Sequence, residues 1–472
     1  MSPIDSVDRT KMQKPHILFI LIDSARPDHL GCYGYSKNTS PFMDEFAKSS
    51  TLYENAIAPG AWTLPSMASI MTGHYLPASQ RAIKFYTKKL EFLPELLSRA
   101  GYKTSCVSFN PWVSYDTGFN RGFDKFYYYN KRNFFKVLDY ATIARLLLRP
   151  KQVPLVLFMT EQAKRFIRRN HKKGPTFTYL HYSVHHPYYT PKRYFDLFDN
   201  VETSPEDYRR IQSWQYRDMG LFLRETGKIS KVDRRALLNL YDGLIFYVDE
   251  HIRELIGFLE KIGILDDTVV VITADHGEFF GEYGFISHGF CALEEVVRVP
   301  LIIRHPRLFP PGTKVDKVVS TIDLFTSLGE IAGADFDPKR FQSEDLREID
   351  SSKREFVLTR HIIAAKGEFP DGEALKKKFS HLDFDRYEGE QISMRGDSWK
   401  FIWFANGNRL LFDLTSPRGE KENLAAKSPE IVKDYEEKLE LVPGLIKYDE
   451  SGEIFEFEEA TKDHLRALGY LD

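Results

Sequence analysis

Residues His16 to Asp23 read HILFILID, a short unbroken apolar run, rich in branched side chains, that stops on a carboxylate. Bounded by polar segments, such a run predicts a central strand covered on both faces. Similar runs recur at Thr104 to Phe109, Phe177 to His181, Thr268 to Thr273 (TVVVIT) and Pro300 to Ile303. Helical stretches lie between them. Glu91 to Ala100 ends at Gly101, a helix stop. From Asp233 to Ile262, Leu237, Tyr241, Leu244, Val248, Ile252, Leu255 and Leu259 recur at three- and four-residue steps, and Gly263 closes the helix.

Strands alternating with helices predict an α/β fold, a large and mostly parallel sheet with helices on both faces. Ligands of such sheets bind beyond the carboxyl ends of the strands, where the acidic residues of this chain sit. After about residue 385 the texture changes. Gln391 to Phe404 and Arg409 to Leu414 read as antiparallel strands joined at Asn406-Gly407-Asn408, and a polar helix follows near Pro429 to Leu441. The expected division is a catalytic domain over 1–385 and a smaller C-terminal α+β domain with an antiparallel sheet over 386–472. Gln342 to Gly389, charged and weakly patterned, reads as a surface excursion.

The 472 residues suffice for one large and one smaller domain with a sizeable core. A formal net charge of -2 gives no reason to expect nucleic acid as a partner. Cys32, Cys106 and Cys291 are odd in number and widely spaced, which argues for reduced thiols rather than a disulfide framework. Met1 to Lys14 is polar and lacks the apolar core of a secretory signal. No window reaches the roughly 18 apolar residues of a spanning helix, so a cytoplasmic location is expected. Asn130 to Lys173 is crowded with Lys and Arg among apolar residues. Its plain role is a solvated helix face; the alternative is a basic amphipathic surface that docks an anionic polymer or makes peripheral membrane contact.

Three residues at one sheet edge carry the chemistry. Asp23 ends the first run, and Asp275-His276 directly follow TVVVIT. Two carboxylates and an imidazole form a mixed oxygen and nitrogen set suited to one divalent cation. Gly277 would let the backbone turn so that both preceding side chains face one point. Thr63, in WTLPSMASIMTG, reads as a helix N-cap with Pro65 in the first turn. A hydroxyl at that position faces free N–H groups and the positive end of the helix dipole, which favour an alkoxide and the anion it attacks. A metal would make this weak alcohol a competent nucleophile at neutral pH. HYSVHHPYY places His181, His185 and His186 just past a strand; a lone His there is usually structural, whereas the adjacent pair raises the case for a site role. His288 could bind a non-bridging oxygen or protonate a leaving group. Asn110, just after a strand, is a candidate substrate contact. Asp242 and Asp249, seven apart on the long helix, are read as structural.

Taken together these motifs resemble the sulfatase family of the alkaline phosphatase superfamily. The carriers are LIDSARPDHLGCYGY with its acidic metal ligand; Thr63-Leu64-Pro65-Ser66-Met67, running on to Thr72-Gly73, in place of the signature Cys/Ser-x-Pro-x-Arg; and ADHGE with the pair Asp275-His276. VVRVPLIIR, STIDLFTSLGEIAG, LFDLTSPRGEKENLA and LRALGYLD follow in family order. The resemblance implies an alkaline phosphatase-like fold, Asp23, Thr63, Asp275 and His276 around one divalent metal ion (Mn, Zn, Ca or Mg), and His185, with His288, as acid groups beside the substrate. His186 is a further candidate substrate contact.

The departures are informative. Sulfatases oxidise the signature Cys or Ser to formylglycine, an aldehyde, whereas Thr63 is a secondary alcohol and could give only a ketone. Met67 stands where the signature Arg would be, and Ser24 where many sulfatases carry a second Asp. The set is similar to the metal site of lipoteichoic acid synthases and phosphoethanolamine transferases, which use an unmodified Thr. The expectation is therefore a hydrolase or transferase of phosphate or sulfate esters, phosphate favoured, without formylglycine, acting on an anionic ester such as a glycan or lipid head group. Two alternatives are a formylglycine-independent sulfuric ester hydrolase and an inactive module that binds an anionic glycan.

Overall fold

The computed structural model describes residues 14–77, 83–84, 88–128, 154–184, 188, 190–199, 203–212, 229–363, 389–442, 458–459 and 461–463. The strands are β1 (His16–Asp23), β2 (Thr51–Ile57), β3 (Lys103–Ser108), β4 (Lys125–Tyr128), β5 (Thr176–Ser183), β6 (Thr268–Thr273), β7 (Phe279–Phe280), β8 (Ile286–Ser287), β9 (Arg298–Arg304), β10 (Thr313–Val315), β11 (Val319–Ser320), β12 (Val357–Ile363), β13 (Gly389–Arg395), β14 (Trp399–Phe404) and β15 (Arg409–Asp413). The large sheet runs β10-β2-β9-β6-β1-β5-β3-β4, with β11 also paired to β2. HILFILID is buried at every position, as expected of a central strand. Each Ile, Leu or Phe so buried is worth about 1.5–3 kcal/mol of apolar transfer. The sheet is parallel from β6 through β4, whereas β9 runs antiparallel to both β6 and β2. The Pro300 to Ile303 run is thus a strand of the opposite direction, a property that an apolar run alone does not encode.

Register sets up the site. Asp23 pairs with Ser183 across β1 and β5, and Leu21 pairs with Thr273 across β1 and β6. Two residues further along, Asp275 comes level with Asp23. Alternation of side chains puts Leu21, Asp23, His181 and Ser183 on one face. β3 pairs Cys106 with Tyr179, which brings its continuation at Asn110 to the same edge.

The long helix spans Lys231–Lys261; the Ser230 hydroxyl caps it by accepting from the Asp233 N–H at 3.0 Å. Gly263 follows at φ 76, the left-handed conformation that ends helices cheaply. Asp242 and Asp249 on this helix both have structural partners. Asp242 accepts from His29 Nδ1 at 2.7 Å and Lys37 Nζ at 2.8 Å, while Asp249 accepts the N–H groups of Phe42 and Met43 at 2.8 Å each, at the start of the helix Pro41–Ala47.

The helix Pro154–Asn170 turns its apolar residues Phe158, Met159, Ala163 and Ile167 into the main core, leaving Arg168 and Arg169 exposed. Residues 130–153 of the basic stretch lie outside the described residues. Among the described residues, no helix is long and apolar enough to cross a membrane.

The smaller sheet is antiparallel in the order β12-β13-β14-β15, and the helix Pro429–Glu440 packs on one face through Leu439 with Met394, Phe401 and Leu411. Ile402, Phe404 and Phe412 on its other face join the main core. β12 falls within the stretch read as a surface excursion. The polar residues Arg360 and His361 interrupt its apolar pattern, yet both are buried.

Candidate metal and ester site

Asp23, Asp275 and His276 converge. Each offers one ligand atom, and these atoms all lie within 4.8 Å of one another. His276 Nε2 stands 3.6 Å from Asp23 Oδ1 and 3.5 Å from Asp275 Oδ2. All three side chains are fully buried. The imidazole gives its Nδ1 proton to the Gly277 carbonyl at 2.8 Å, which leaves the Nε2 lone pair facing the carboxylates. Asp275 Oδ1 accepts from the His276 and Ser24 N–H groups at 3.0 and 3.3 Å, but Asp275 Oδ2 is buried with no hydrogen-bond donor among the described residues. An orphaned carboxylate oxygen in a buried site is costly unless a cation meets it. Burial, and then the neighbouring Asp23 carboxylate, push the Asp275 carboxyl above its ordinary range. The donor set fits one divalent cation.

Thr63 opens the helix Thr63–Thr72 as its first helical residue, with Trp62 in extended conformation before it and no side-chain cap. The N-cap role expected for Thr63 therefore gives way to another. Its hydroxyl faces the cluster, 3.3 Å from His276 Nε2, and accepts from Asn110 Nδ2 at 3.3 Å. Asn110 is oriented by the Trp112 N–H, which donates to its Oδ1 at 2.8 Å, so the amide nitrogen is the end aimed at Thr63 and at Asp23 Oδ2, 2.7 Å away. Ser66, one turn on, donates to the Asp275 carbonyl at 2.6 Å and ties this helix to the end of β6.

Gly277 does not act through a left-handed turn. A Cβ there would meet the Glu295 carbonyl oxygen at 2.2 Å, and its N–H donates to the Val296 carbonyl at 2.6 Å. The glycine is required by close approach of backbone. Ser24 carries the unusual conformation instead, with φ 63 directly after Asp23. A non-glycine residue held there stores strain of order 1–3 kcal/mol, a feature concentrated at functional sites.

His288 packs against His276 with ring centroids 4.2 Å apart, and its Nδ1 lies 3.6 Å from Glu278 Oε1. His185 and His186 lie outside the described residues. His181, singled out above without a role, is at the centre: its Nε2 is 3.0 Å from Asp23 Oδ2 and its Nδ1 2.7 Å from the Tyr179 hydroxyl. Strand alternation from Asp23 and Ser183 would have marked it. Met67 is buried beneath the site with its sulfur 3.7 Å from the same hydroxyl.

A buried Asp-Asp-His cluster at the carboxyl edge of this sheet defines a class, the metal-dependent hydrolases of anionic esters. Residues 15–334 match the sulfatase family, and the chain belongs to it. Residues 281–442 also match the C-terminal region of N-sulphoglucosamine sulphohydrolase. The chain is similar to N-acetylglucosamine-6-O-sulfatase of Bacteroides thetaiotaomicron, 23% identical with 92% of this chain and 86% of the relative covered. It is also similar to iduronate 2-sulfatase of Mus musculus, 24% identical over 69% of this chain and 70% of that one. Among solved structures, the phosphonate monoester hydrolase of Silicibacter pomeroyi shares the fold with TM-score 0.69 and 19% identity, covering 92% of this chain and 96% of that chain. A protein in complex with its substrate D-glucosamine-2-N,6-O-disulfate does so with TM-score 0.67 and 19% identity, covering 91% and 97%. Family membership and the metal-type cluster support an enzyme that acts on anionic esters.

Proposed function

We propose that this protein is a single-metal hydrolase or transferase of phosphate or sulfate esters, with phosphate favoured and unmodified Thr63 as nucleophile. The carrying observation is the Thr63 hydroxyl at a helix N-terminus, 3.3 Å from His276 Nε2, the ring atom that faces both buried carboxylates. Asp23, Asp275, His276 and the Thr63 oxygen would hold the metal. When bound, a divalent cation supplies Lewis-acid polarisation of an ester oxygen and a lowered hydroxyl pKa. Thr63, its proton released to solvent, attacks phosphorus or sulfur in line, and the bond to the leaving oxygen breaks. His288 or His185 gives that oxygen a proton, help worth on the order of 100- to 10,000-fold. Water or an acceptor alcohol then displaces Thr63.

Formylglycine does not fit here, because Thr63 cannot yield an aldehyde, so no step passes through it. Loss of the signature cation at Met67 and the likeness to lipoteichoic acid synthases and phosphoethanolamine transferases favour phosphate. The sugar-sulfatase relatives keep a sulfated or phosphorylated sugar as the substrate class to test first. A screen of aryl phosphate mono- and diesters, phosphonates and aryl sulfates with Mn, Zn, Ca and Mg decides among these. Turnover of a phosphate ester with one equivalent of metal is expected. A protein that binds none of these ions and turns over none of these esters is a binding module instead.

A further inference from the structure

Asp23 has two oxygens with different surroundings. Oδ2 accepts from Asn110 Nδ2 at 2.7 Å and from His181 Nε2 at 3.0 Å. Two donors use the two lone pairs of that oxygen. Oδ1 accepts from the Ser24 hydroxyl at 3.2 Å and is the oxygen that looks toward His276 Nε2, 3.6 Å away. Asp23 can therefore offer a cation only Oδ1.

His181 is held for this task. Its Nε2 faces an Asp23 carboxylate oxygen, which only accepts, so Nε2 carries a proton, and its Nδ1 lies 2.7 Å from the Tyr179 hydroxyl, which holds the ring in place. Tyr179 is itself wedged between Phe19, with ring centroids 5.5 Å apart, and the Met67 sulfur. Both residues are buried on the central strand β5, so neither ring has room to turn.

We infer that His181 is a positioning residue that, through its Nε2–H, turns Asp23 into a one-oxygen metal ligand aimed at His276 and Asp275. This rests on the metal reading of the site. Groups that orient a ligand in this way are worth about 10- to 100-fold in metal affinity. The test is Mn2+ titration calorimetry on the intact protein and on His181→Ala, His181→Gln and Tyr179→Phe, with far-UV spectra confirming the fold. His181→Ala is expected to weaken Mn2+ binding about 10- to 100-fold. His181→Gln, whose amide N–H replaces Nε2–H, is expected to recover most of the loss, and Tyr179→Phe to show a smaller loss of the same direction. Unchanged affinity in His181→Ala, or a Gln variant no better than Ala, overturns the role. If His181→Ala fails to fold, Tyr179→Phe decides, and wild-type affinity there overturns it. Wild-type protein that binds no Mn2+ is a different result, since it overturns the metal reading and this role with it.

Discussion

Gly277 sits against Glu295 so closely that a methyl group on its Cα would stand 2.2 Å from the Glu295 carbonyl oxygen. The carbonyl of Gly277 itself accepts from His276 Nδ1 at 2.8 Å and orients that ring. Gly277→Ala is therefore expected to cost about 1–3 kcal/mol of stability, the range for overpacking, and to weaken cation binding by displacing His276. Chemical denaturation and calorimetry measure both. Wild-type stability in the variant would refute the close-approach account.

Thr63→Ala should abolish nearly all turnover, whereas Thr63→Ser, which keeps the hydroxyl, should retain part of it. His288→Ala should leave measurable activity, because general-acid help is worth about 100- to 10,000-fold and not the whole rate. Steady-state rates on aryl phosphodiesters and aryl sulfates provide the comparison. Full activity in Thr63→Ala on either ester removes it as the nucleophile.

Removal of divalent cations with EDTA should stop turnover and lower the melting temperature, and the fitting ion should restore both. Free ion at 100 times its dissociation constant stabilises by about 2.7 kcal/mol. Asp275→Asn should lose this response. Without metal, however, the variant should be more stable than wild type, because it relieves a buried carboxylate whose pKa is raised by burial and by Asp23. A metal-free variant less stable than metal-free wild type would contradict the repulsion inferred here.

His361 supplies a pH dependence away from the site. Burial lowers its pKa from 6.5 to about 3. Its contribution to stability is complete above the unfolded value and is lost as the pH falls from about 6.5 toward 3, because the unfolded chain takes up a proton that the folded chain refuses. One such proton gives a slope of about 1.4 kcal/mol per pH unit. His361→Leu should flatten the acid limb of a urea-denaturation series, and an unaltered limb would show that another group governs it.

Much of this was legible in the sequence. The central strands announce themselves because burial on both faces leaves continuous apolar runs, as in HILFILID and TVVVIT. Asp23 and Asp275-His276 stood out because they end such runs. The direction of β9 did not, since direction depends on partners far along the chain. β12 was hidden by Arg360 and His361, whose burial depends on tertiary contacts: the Arg360 guanidinium pairs with Glu390 of the neighbouring strand. Thr63 was placed at the correct helix end for a capping reason that the structure does not bear out. His181 lacked a role because its meaning lies in the register between β1 and β5 rather than in its neighbours along the chain.

The separation of Asp23 from Asp275 along the chain has a consequence during synthesis. With the proposed ligands Asp23, Thr63, Asp275 and His276, nascent protein would carry only half of the set until the segment just after β6 has left the ribosome, and the ion would not template early folding. The proposed site would take up its ion in a nearly finished domain. Supplying it after purification should load the protein as well as supplying it during growth.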